Sequence, residues 1–203
     1  GGDGSEAAWV GAYKAGVAHE RAGAYGDAEA RYRDVYEVRR RQHGPRSVAV
    51  ATAARDVART LALQRRYGDA QRYYAEAVSL CASLLGEAHP NTACALTDLA
   101  AVMREQGKYE EAEAHAQRAV TSLRRAVGDA DVSTGTALYN LAGLAKRQGK
   151  FALASRSYAE ALSIFQRCGA GSRGEAADTL YQCGCLHRKQ GAYDKAGRYF
   201  AAA

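Results

Sequence analysis

The feature that most constrains this chain is a repeat of 42 residues. An aromatic residue recurs at that interval along almost the whole sequence, as Tyr25, Tyr67, Tyr109, Phe151 and Tyr193. An alanine follows each of them three positions later, as Ala28, Ala70, Ala112, Ala154 and Ala196. Self-similarity at a fixed period of this length is typical of a solenoid, in which each unit buries its apolar faces against its neighbours. The sequence therefore predicts a repeat array before any single motif is considered.

Each period contains two amphipathic segments separated by a glycine turn. In the third period the apolar positions follow the i, i+3, i+4, i+7 spacing of one helix face, with Leu96, Leu99, Ala100 and Met103. Gly107 then ends this first helix, because glycine readily adopts the left-handed conformation found just beyond a helix C-terminus. A second helix is predicted from about Tyr109 to Ala126. The unit is therefore a first helix, a tight turn, a second helix and a short loop.

This pattern predicts an all-α fold, a right-handed superhelical solenoid of antiparallel helix pairs. We expect five units at residues 7–43, 48–85, 91–127, 132–169 and 174–203, the last one incomplete. Residues 1–6 are expected to be a flexible or artificially added start. Small alanines where the two helices cross allow their axes to approach to the near end of the usual range of about 8–10 Å.

The segment TALYNLAGLAKRQGKFALASRSYAEAL, residues 136–162, resembles the tetratricopeptide repeat. The matching positions are Leu138, Leu141, Ala142, Gly149, Phe151, Ala154, Tyr158 and Ala161. The common repeat has about 34 residues, whereas the longer period and the His89-Pro90 pair resemble the kinesin light chain type. The resemblance covers residues 7–203. It implies a non-catalytic protein-interaction scaffold or adaptor that binds a peptide segment in a concave groove lined by the first helices.

The resemblance also assigns residues to that groove by their position in the repeat. They are Tyr13, Lys14, Arg55, Arg59, Asp98, Arg104, Tyr139, Asn140, Lys146, Arg147, Tyr181, Gln182 and Arg188. Kinesin light chains tend to carry asparagine pairs early in the first helix, and here only Asn140 matches them. The groove is therefore expected to differ from the kinesin light chain groove in what it recognises.

Cationic residues beside exposed tyrosines favour an acidic partner segment with an apolar or aromatic anchor. Lys146 and Arg188 stand at the same position of consecutive units, with Tyr139 and Tyr181 nearby. A simpler interpretation stays open, in which cations near a helix C-terminus only offset the negative end of the helix dipole.

Two patterns that suggest catalysis are better explained by the repeat. The stretch from Gly143 to Phe151 resembles a phosphate loop, but its glycines are one residue too far apart and Phe151 stands where a Ser or Thr would hold magnesium. Glu110 and Glu111 lie in the first turn of a predicted helix, where negative charge complements the dipole. We therefore predict no catalytic site, no cofactor and no enzymatic activity.

A metal site at Cys183 and His187 is also disfavoured. The two residues share a helix face, but they occupy positions held by Leu141 and Ala145 one unit earlier. We therefore expect them to be substitutions in the core, and we predict no bound metal.

Composition narrows the choice of partners and location. A net charge of +6 is mild for 203 residues, and the basic clusters at 39–41 and 124–125 lie on different loop edges, which disfavours nucleic acid. No apolar run reaches the length of a membrane-spanning helix, so we expect no membrane insertion. Five cysteines without paired spacing favour reduced thiols and a cytoplasmic location, cytoskeletal association included.

The sequence thus predicts an interaction scaffold with a protein or peptide partner, for which acidic character is favoured. An alternative stays open, in which the array is a regulatory, sensor or oligomerisation segment of a larger signalling, enzyme or motor assembly. Self-association through the incomplete last repeat is also left open.

Overall fold

The computed structural model describes the backbone of residues 3–203, and the side chains from residue 9 onward with the exception of Ala170. Over this range the chain is helical and contains no strand, in agreement with the all-α prediction. The helices are α1 (Asp3–Arg21), α2 (Tyr25–His43), α3 (Val48–Leu63), α4 (Tyr67–Leu85), α5 (Pro90–Glu105), α6 (Tyr109–Ala126), α7 (Val132–Arg147), α8 (Phe151–Cys168), α9 (Arg173–Lys189) and α10 (Tyr193–Ala202). A short 3₁₀ helix, Gly169–Ser172, joins α8 to α9.

The chain divides into two compact units, with the boundary between Gln106 and Gly107. Unit 1 holds α1 to α5, in which α1 packs against α2 and α3 against α4. Unit 2 holds α6 to α10, in which α7 packs against α8 and α9 against α10. Helix α1 begins at Asp3, inside the segment 1–6 that the sequence analysis placed before the first repeat. The division into five repeats stays a prediction.

Three of the first helices, α3, α5 and α7, begin after a residue whose side chain caps the helix. Ser47 accepts a hydrogen bond from the Val50 amide, and Asp131 accepts one from the Ser133 amide at 2.8 Å. His89 uses Nδ1 in the same way, directly before Pro90 at the start of α5. Each cap satisfies an amide that has no partner inside its helix, so these short loops fix where the first helices start.

The turn between the two helices of a pair needs a left-handed residue. Gly149 supplies it between α7 and α8, with φ of 75°. Arg65 takes the same position between α3 and α4 and adopts φ of 61° although it carries a side chain. A non-glycine residue is uncommon there. Arginine at this position of the repeat therefore leaves the left-handed turn in place.

The repeated alanine of the second helices lies in the core. Ala28, Ala70, Ala112 and Ala154 are fully buried, and Ala196 is 3% exposed. Two tyrosines of the second helices, Tyr32 and Tyr158, are among the largest fully buried side chains. Small residues where the helices cross let these rings lie between paired helices.

A glutamine at the end of the first helix connects successive hairpins. The Gln64 amide donates to the Tyr25 carbonyl at 3.2 Å, and Gln106 donates to the Tyr67 carbonyl at 3.0 Å, both within unit 1. In unit 2, Gln148 donates to the Tyr109 carbonyl at 3.2 Å. The same bond therefore recurs with the period of the sequence and ties α3, α5 and α7 each to the second helix before it.

Candidate functional site

The first-helix face of unit 1 is the surface that α1, α3 and α5 form, and its main cation is paired within the chain. Arg59 on α3 holds the Glu20 carboxylate of α1 with two hydrogen bonds, both of 2.9 Å. The same guanidinium lies 3.2 Å from Asp56. The Tyr32 hydroxyl donates a third hydrogen bond to Glu20, at 2.9 Å. The Glu20 carboxylate thus accepts hydrogen bonds from both a tyrosine hydroxyl and a guanidinium of its own unit.

A second ion pair crosses the same face. Arg55 on α3 lies 2.7 Å from the Asp98 carboxylate on α5, with a further bond of 2.9 Å from Nε. Arg104 pairs with its neighbour Glu105 at 3.0 Å. Three of the four cations that the sequence analysis placed on this face of unit 1 are therefore neutralised by carboxylates of unit 1 itself. The fourth, Lys14, is exposed.

The two aspartates of this network are partly shielded from water. Burial raises the pKa of Asp56, and the charges of Arg59, Arg39 and Arg55 oppose that rise only in part. Burial likewise raises the pKa of Asp98, against the opposing effect of Arg55. Arg55 and Arg59 therefore supply the positive charge that these carboxylates require. If either arginine turned to bind a partner, a partly buried carboxylate would lose its counter-charge.

The first-helix face of unit 2 is the surface that α7 and α9 form. Tyr139 on α7 is half-buried, and its hydroxyl donates to Asp178 on α9 at 2.9 Å. Its ring meets the ring of Tyr158 edge-on, with 5.6 Å between the centroids. Tyr139 therefore holds α7, α8 and α9 together, and only part of its side chain remains for a partner.

Lys146 is a half-buried cation on this face. Its ammonium donates to the side-chain carbonyl of Gln182 on α9 and lies 6.0 Å from the centroid of the Tyr158 ring. Burial lowers the pKa of the Lys146 ammonium, and the positive charges of Arg147 and Lys189 lower it further. The cation is thus oriented by neutral groups and carries no neutralising carboxylate among the described side chains.

The remaining predicted residues of unit 2 are accessible. Arg147 and Arg188 are exposed, and Asn140 is partly exposed. Tyr181 is 52% exposed, although one side of its ring lies against Phe200 at 5.5 Å. Among the described side chains neither arginine forms an ion pair. The face therefore offers three unneutralised cations and one accessible aromatic ring.

The sequence analysis missed the residues that make the two faces different. Glu20 neutralises Arg59, and the buried tyrosines Tyr32 and Tyr158 reach the first helices from the second helices. Glu20 and Lys146 stand at the same position of the repeat, three periods apart, so the reversal of charge between them was visible in the sequence. Tyr13, expected in the groove, is half-buried and packs its ring against Tyr32 at 5.7 Å, and its role in binding stays a prediction.

The cysteines and histidines do not assemble into a metal centre in the described part of the chain. Cys183 is 4% exposed and belongs to a core cluster with Ala142 and Leu186. His187 stacks on Tyr199 with 5.2 Å between the ring centroids. None of the helices in the described range is both long enough and apolar enough to cross a membrane.

The profile of the tetratricopeptide repeat family matches this chain at residues 7–83, 58–125 and 133–203. The chain therefore belongs to the tetratricopeptide repeat family, whose helix pairs build extended surfaces for protein interaction. Among curated protein sequences, none matches this chain significantly.

Solved structures of the same fold include BtubC (BKLC) from P. vanneervenii, with a TM-score of 0.84 and 20% identity over 92% of this chain and 74% of that chain. A putative kinesin light chain from Podosopora anserina with nearly identical TPR-like repeats gives 0.82 and 13%, over 94% and 90%. A Rap protein complexed with Competence and Sporulation Factor gives 0.73 and 15%, over 96% of this chain and 52% of that chain. The family match and these similarities of fold confirm an all-α solenoid of tetratricopeptide repeats, a fold that the putative kinesin light chain shares.

Proposed function

We propose that this chain is a non-catalytic scaffold that uses the first-helix face of unit 2 to bind an acidic, extended segment of a cytoplasmic partner protein. The observation that carries the proposal is the difference in charge between the two faces. In unit 1, Arg55 and Arg59 are paired with Asp98 and Glu20. In unit 2, Lys146 meets the neutral amide of Gln182.

The unneutralised cations favour an acidic partner for two reasons. Exposed positive charge raises the rate at which a negatively charged segment meets the surface, and it disfavours basic partners. Tyr181 adds an accessible ring, and aromatic side chains contribute a large share of the binding energy at interfaces. An acidic segment with an apolar or aromatic anchor therefore fits this face better than it fits unit 1.

The competing interpretation is that the cations serve only the helix dipole. Lys146 and Arg147 lie in the last turn of α7, and Arg188 lies in the last turn of α9. Such placement stabilises a helix by about 0.3–1 kcal/mol per charge at an exposed site. A dipole role alone predicts an effect on stability and none on binding, so the two interpretations are separable. The solved complex of a Rap protein with Competence and Sporulation Factor supports a ligand-binding role for this fold.

The experiment is a selection from a random peptide library displayed on phage against the folded chain. We expect recovered peptides to be enriched in Asp and Glu and to contain an aromatic residue. Their affinity should fall as salt is raised, since screening weakens attraction between exposed charges. Peptides without acidic enrichment, or binding that does not change with salt, would refute the proposal.

Two variants that remove the same amount of charge from different surfaces test where the peptide-binding site lies. Replacing Lys146, Arg147 and Arg188 with alanine should abolish binding of the selected peptides. The control replaces the exposed cations Arg40, Arg41 and Arg72 of α2 and α4, which removes the same charge from the second helices of unit 1. Equal loss in both variants would assign the effect to net charge, and the face of unit 2 would not be the binding site.

A further inference from the structure

A cavity of about 410 Å³ lies between α2 and α4, the two second helices of unit 1. Its lining includes Tyr36 and Arg40 from α2, and Arg72, Tyr73 and Glu76 from α4. The surface of the proposed function is formed by first helices of unit 2, so this cavity is a separate feature. We call it the second-helix groove.

Two tyrosines orient the side chains that cross the groove. The Tyr36 hydroxyl donates to both oxygens of the Glu76 carboxylate, at 2.9 and 3.1 Å. Arg33 donates to the Tyr73 hydroxyl at 2.7 Å and is itself held by Glu29 at 2.9 Å. Burial and the hydrogen bond to Glu76 raise the pKa of Tyr36 to about 12, so its hydroxyl remains a donor at neutral pH. The walls of the groove are therefore fixed by contacts within unit 1.

The remaining charges of the groove are not paired with one another. Glu76 is half-buried, and its carboxylate is bonded to the neutral Tyr36 hydroxyl. Arg40 and Arg72 are exposed. Among the described side chains none of these three charged groups forms an ion pair. A carboxylate without a cation and two arginines without a carboxylate thus line one cavity.

The equivalent positions of unit 2 show the same charges neutralising each other. Arg124 on α6 stands two periods after Arg40, and Glu160 on α8 stands two periods after Glu76. There the arginine and the glutamate form an ion pair. A valine holds the position of Tyr36 in unit 2, so no tyrosine hydroxyl reaches the carboxylate from that position. In unit 1 the tyrosine takes the carboxylate, and the arginine is left available for another group.

We propose that the second-helix groove binds a segment of a partner protein that carries a basic and an acidic residue close together. The basic side chain pairs with Glu76, and the acidic side chain pairs with Arg40 and Arg72. A segment of one charge sign is disfavoured, because it would place like charges against either the carboxylate or the arginines. The inference does not depend on the proposed function, since it concerns other helices and a segment of mixed charge.

The lining of the groove favours a protein segment over a small organic ligand. Sites for small organic molecules are lined mainly by apolar groups with a few polar ones. Charged and hydroxyl groups dominate the lining here. Arrangement of opposite charges across an interface is a common source of specificity between proteins.

The test begins with a second selection from the phage-displayed peptide library. Its target is the chain in which Lys146, Arg147 and Arg188 are alanine, so that peptides of the first-helix face of unit 2 are not recovered. We expect the recovered peptides to carry both a basic and an acidic residue. Recovery of no peptide, or of peptides with one charge sign only, would overturn the proposal.

Variants of the groove then locate the binding. Glu76→Gln removes the charge and keeps the size, so it should weaken the tightest mixed-charge peptide about tenfold. Arg40→Ala combined with Arg72→Ala should weaken it to a similar extent. The control is Glu160→Gln, at the same repeat position of unit 2, where the carboxylate is already paired with Arg124. An equal loss of affinity in Glu76→Gln and in Glu160→Gln would overturn the proposal.

An exchange of charge separates direct contact from a change in the fold. Glu76→Lys should abolish binding of the mixed-charge peptide. A peptide whose basic residue is changed to Glu should bind this variant again, because the two charges are exchanged together. Failure of the exchanged peptide to bind, with the helical circular dichroism retained, would contradict a direct contact.

A competing arrangement has Arg40 turning onto Glu76 in the free chain, as Arg124 does on Glu160. A double-mutant cycle of Arg40→Ala and Glu76→Gln, followed by thermal unfolding without peptide, distinguishes the two arrangements. We expect the two changes to be additive. Coupling between them would show that the two charges already neutralise each other, and the groove would offer no pair of free charges.

Discussion

Arg55 on α3 and Asp98 on α5 form an ion pair of 2.7 Å across the first-helix face of unit 1. The sequence analysis assigned both residues to partner binding, yet each satisfies the other. Their side chains are 29% and 33% exposed, so the pair lies between a surface ion pair and a buried one. Its first role is therefore to hold two successive first helices together.

Removing one member of this pair should destabilise the protein. Arg55→Ala leaves the desolvated Asp98 carboxylate without its cation, and we expect a cost of about 1–2 kcal/mol, between the values for exposed and buried pairs. The double variant Arg55→Ala with Asp98→Ala should cost less than the sum of the single variants. Thermal unfolding followed by circular dichroism gives the comparison. Additive effects of the two changes would contradict the coupling.

Glu29 gives a prediction that depends on pH. Burial raises the pKa of its carboxyl, but hydrogen bonds from Gln64 and Arg33 and the charge of Arg66 outweigh burial, so the pKa is lowered overall. The ionised form therefore carries stability that is present above the unfolded-state value of about 4.3 and is lost as pH falls through the folded-state value.

We accordingly expect Glu29→Gln to cost about 1–2 kcal/mol at pH 7. The difference from the parent protein should shrink as the pH falls below about 4. Urea unfolding at a series of pH values measures it. The exposed Glu37→Gln on the same helix is the control, and an equal pH dependence in both variants would refute the assignment to the Glu29 cluster.

The recurring glutamine bond should contribute to stability in both units. Gln148→Ala removes the donor to the Tyr109 carbonyl and also a bond to Glu113. We expect a loss of about 1 kcal/mol or slightly more. The exposed Gln117→Ala on α6 is the matched control and should change the unfolding midpoint little. If both variants unfold at the same temperature, the bond has no net effect.

Two glycines on first helices should respond to alanine with opposite signs. A Cβ on Gly135 would lie 2.8 Å from the ring of the buried Phe165, and overpacking of this kind costs about 1–3 kcal/mol. A Cβ on the exposed Gly11 meets nothing within 4 Å, so Gly11→Ala should stabilise α1 by up to about 1 kcal/mol through helix propensity. An unfolding midpoint of Gly135→Ala that stays the same or rises would contradict the packing at Gly135, and one of Gly11→Ala that falls would contradict the propensity effect.

The repeat made the fold predictable, and the residues within it explain why. The glycine or its replacement at positions 65 and 149 recurs because every hairpin needs the same left-handed turn. The alanine series recurs because each of these positions is buried in the core, where a small side chain lets two helices approach closely. A glutamine recurs just as regularly, at Gln64, Gln106 and Gln148. A polar residue at a helix end can form many different hydrogen bonds, so periodicity alone did not reveal that these side chains donate to a backbone carbonyl.

The candidate site was harder to predict because it depends on contacts between residues far apart in sequence. Arg59 and Lys146 both read as groove cations, and only the structure shows Glu20 on one and Gln182 on the other. Tyr158 belongs to a second helix and has the spacing of a core residue. Its ring lies 6.0 Å from the Lys146 ammonium of the neighbouring first helix, a contact that the spacing of neither helix alone reveals.

The contrast between Arg59 and Lys146 gives the last prediction. Arg59→Met leaves Glu20 and Asp56 without their cation, so it should lower the unfolding midpoint and leave the affinity for acidic peptides unchanged. Lys146→Met removes a cation with no carboxylate partner among the described side chains. It should therefore weaken the affinity for acidic peptides by about tenfold or more, with little change in stability. Isothermal titration and thermal unfolding of the two variants separate the effects. The reverse pattern would show that the binding surface lies in unit 1.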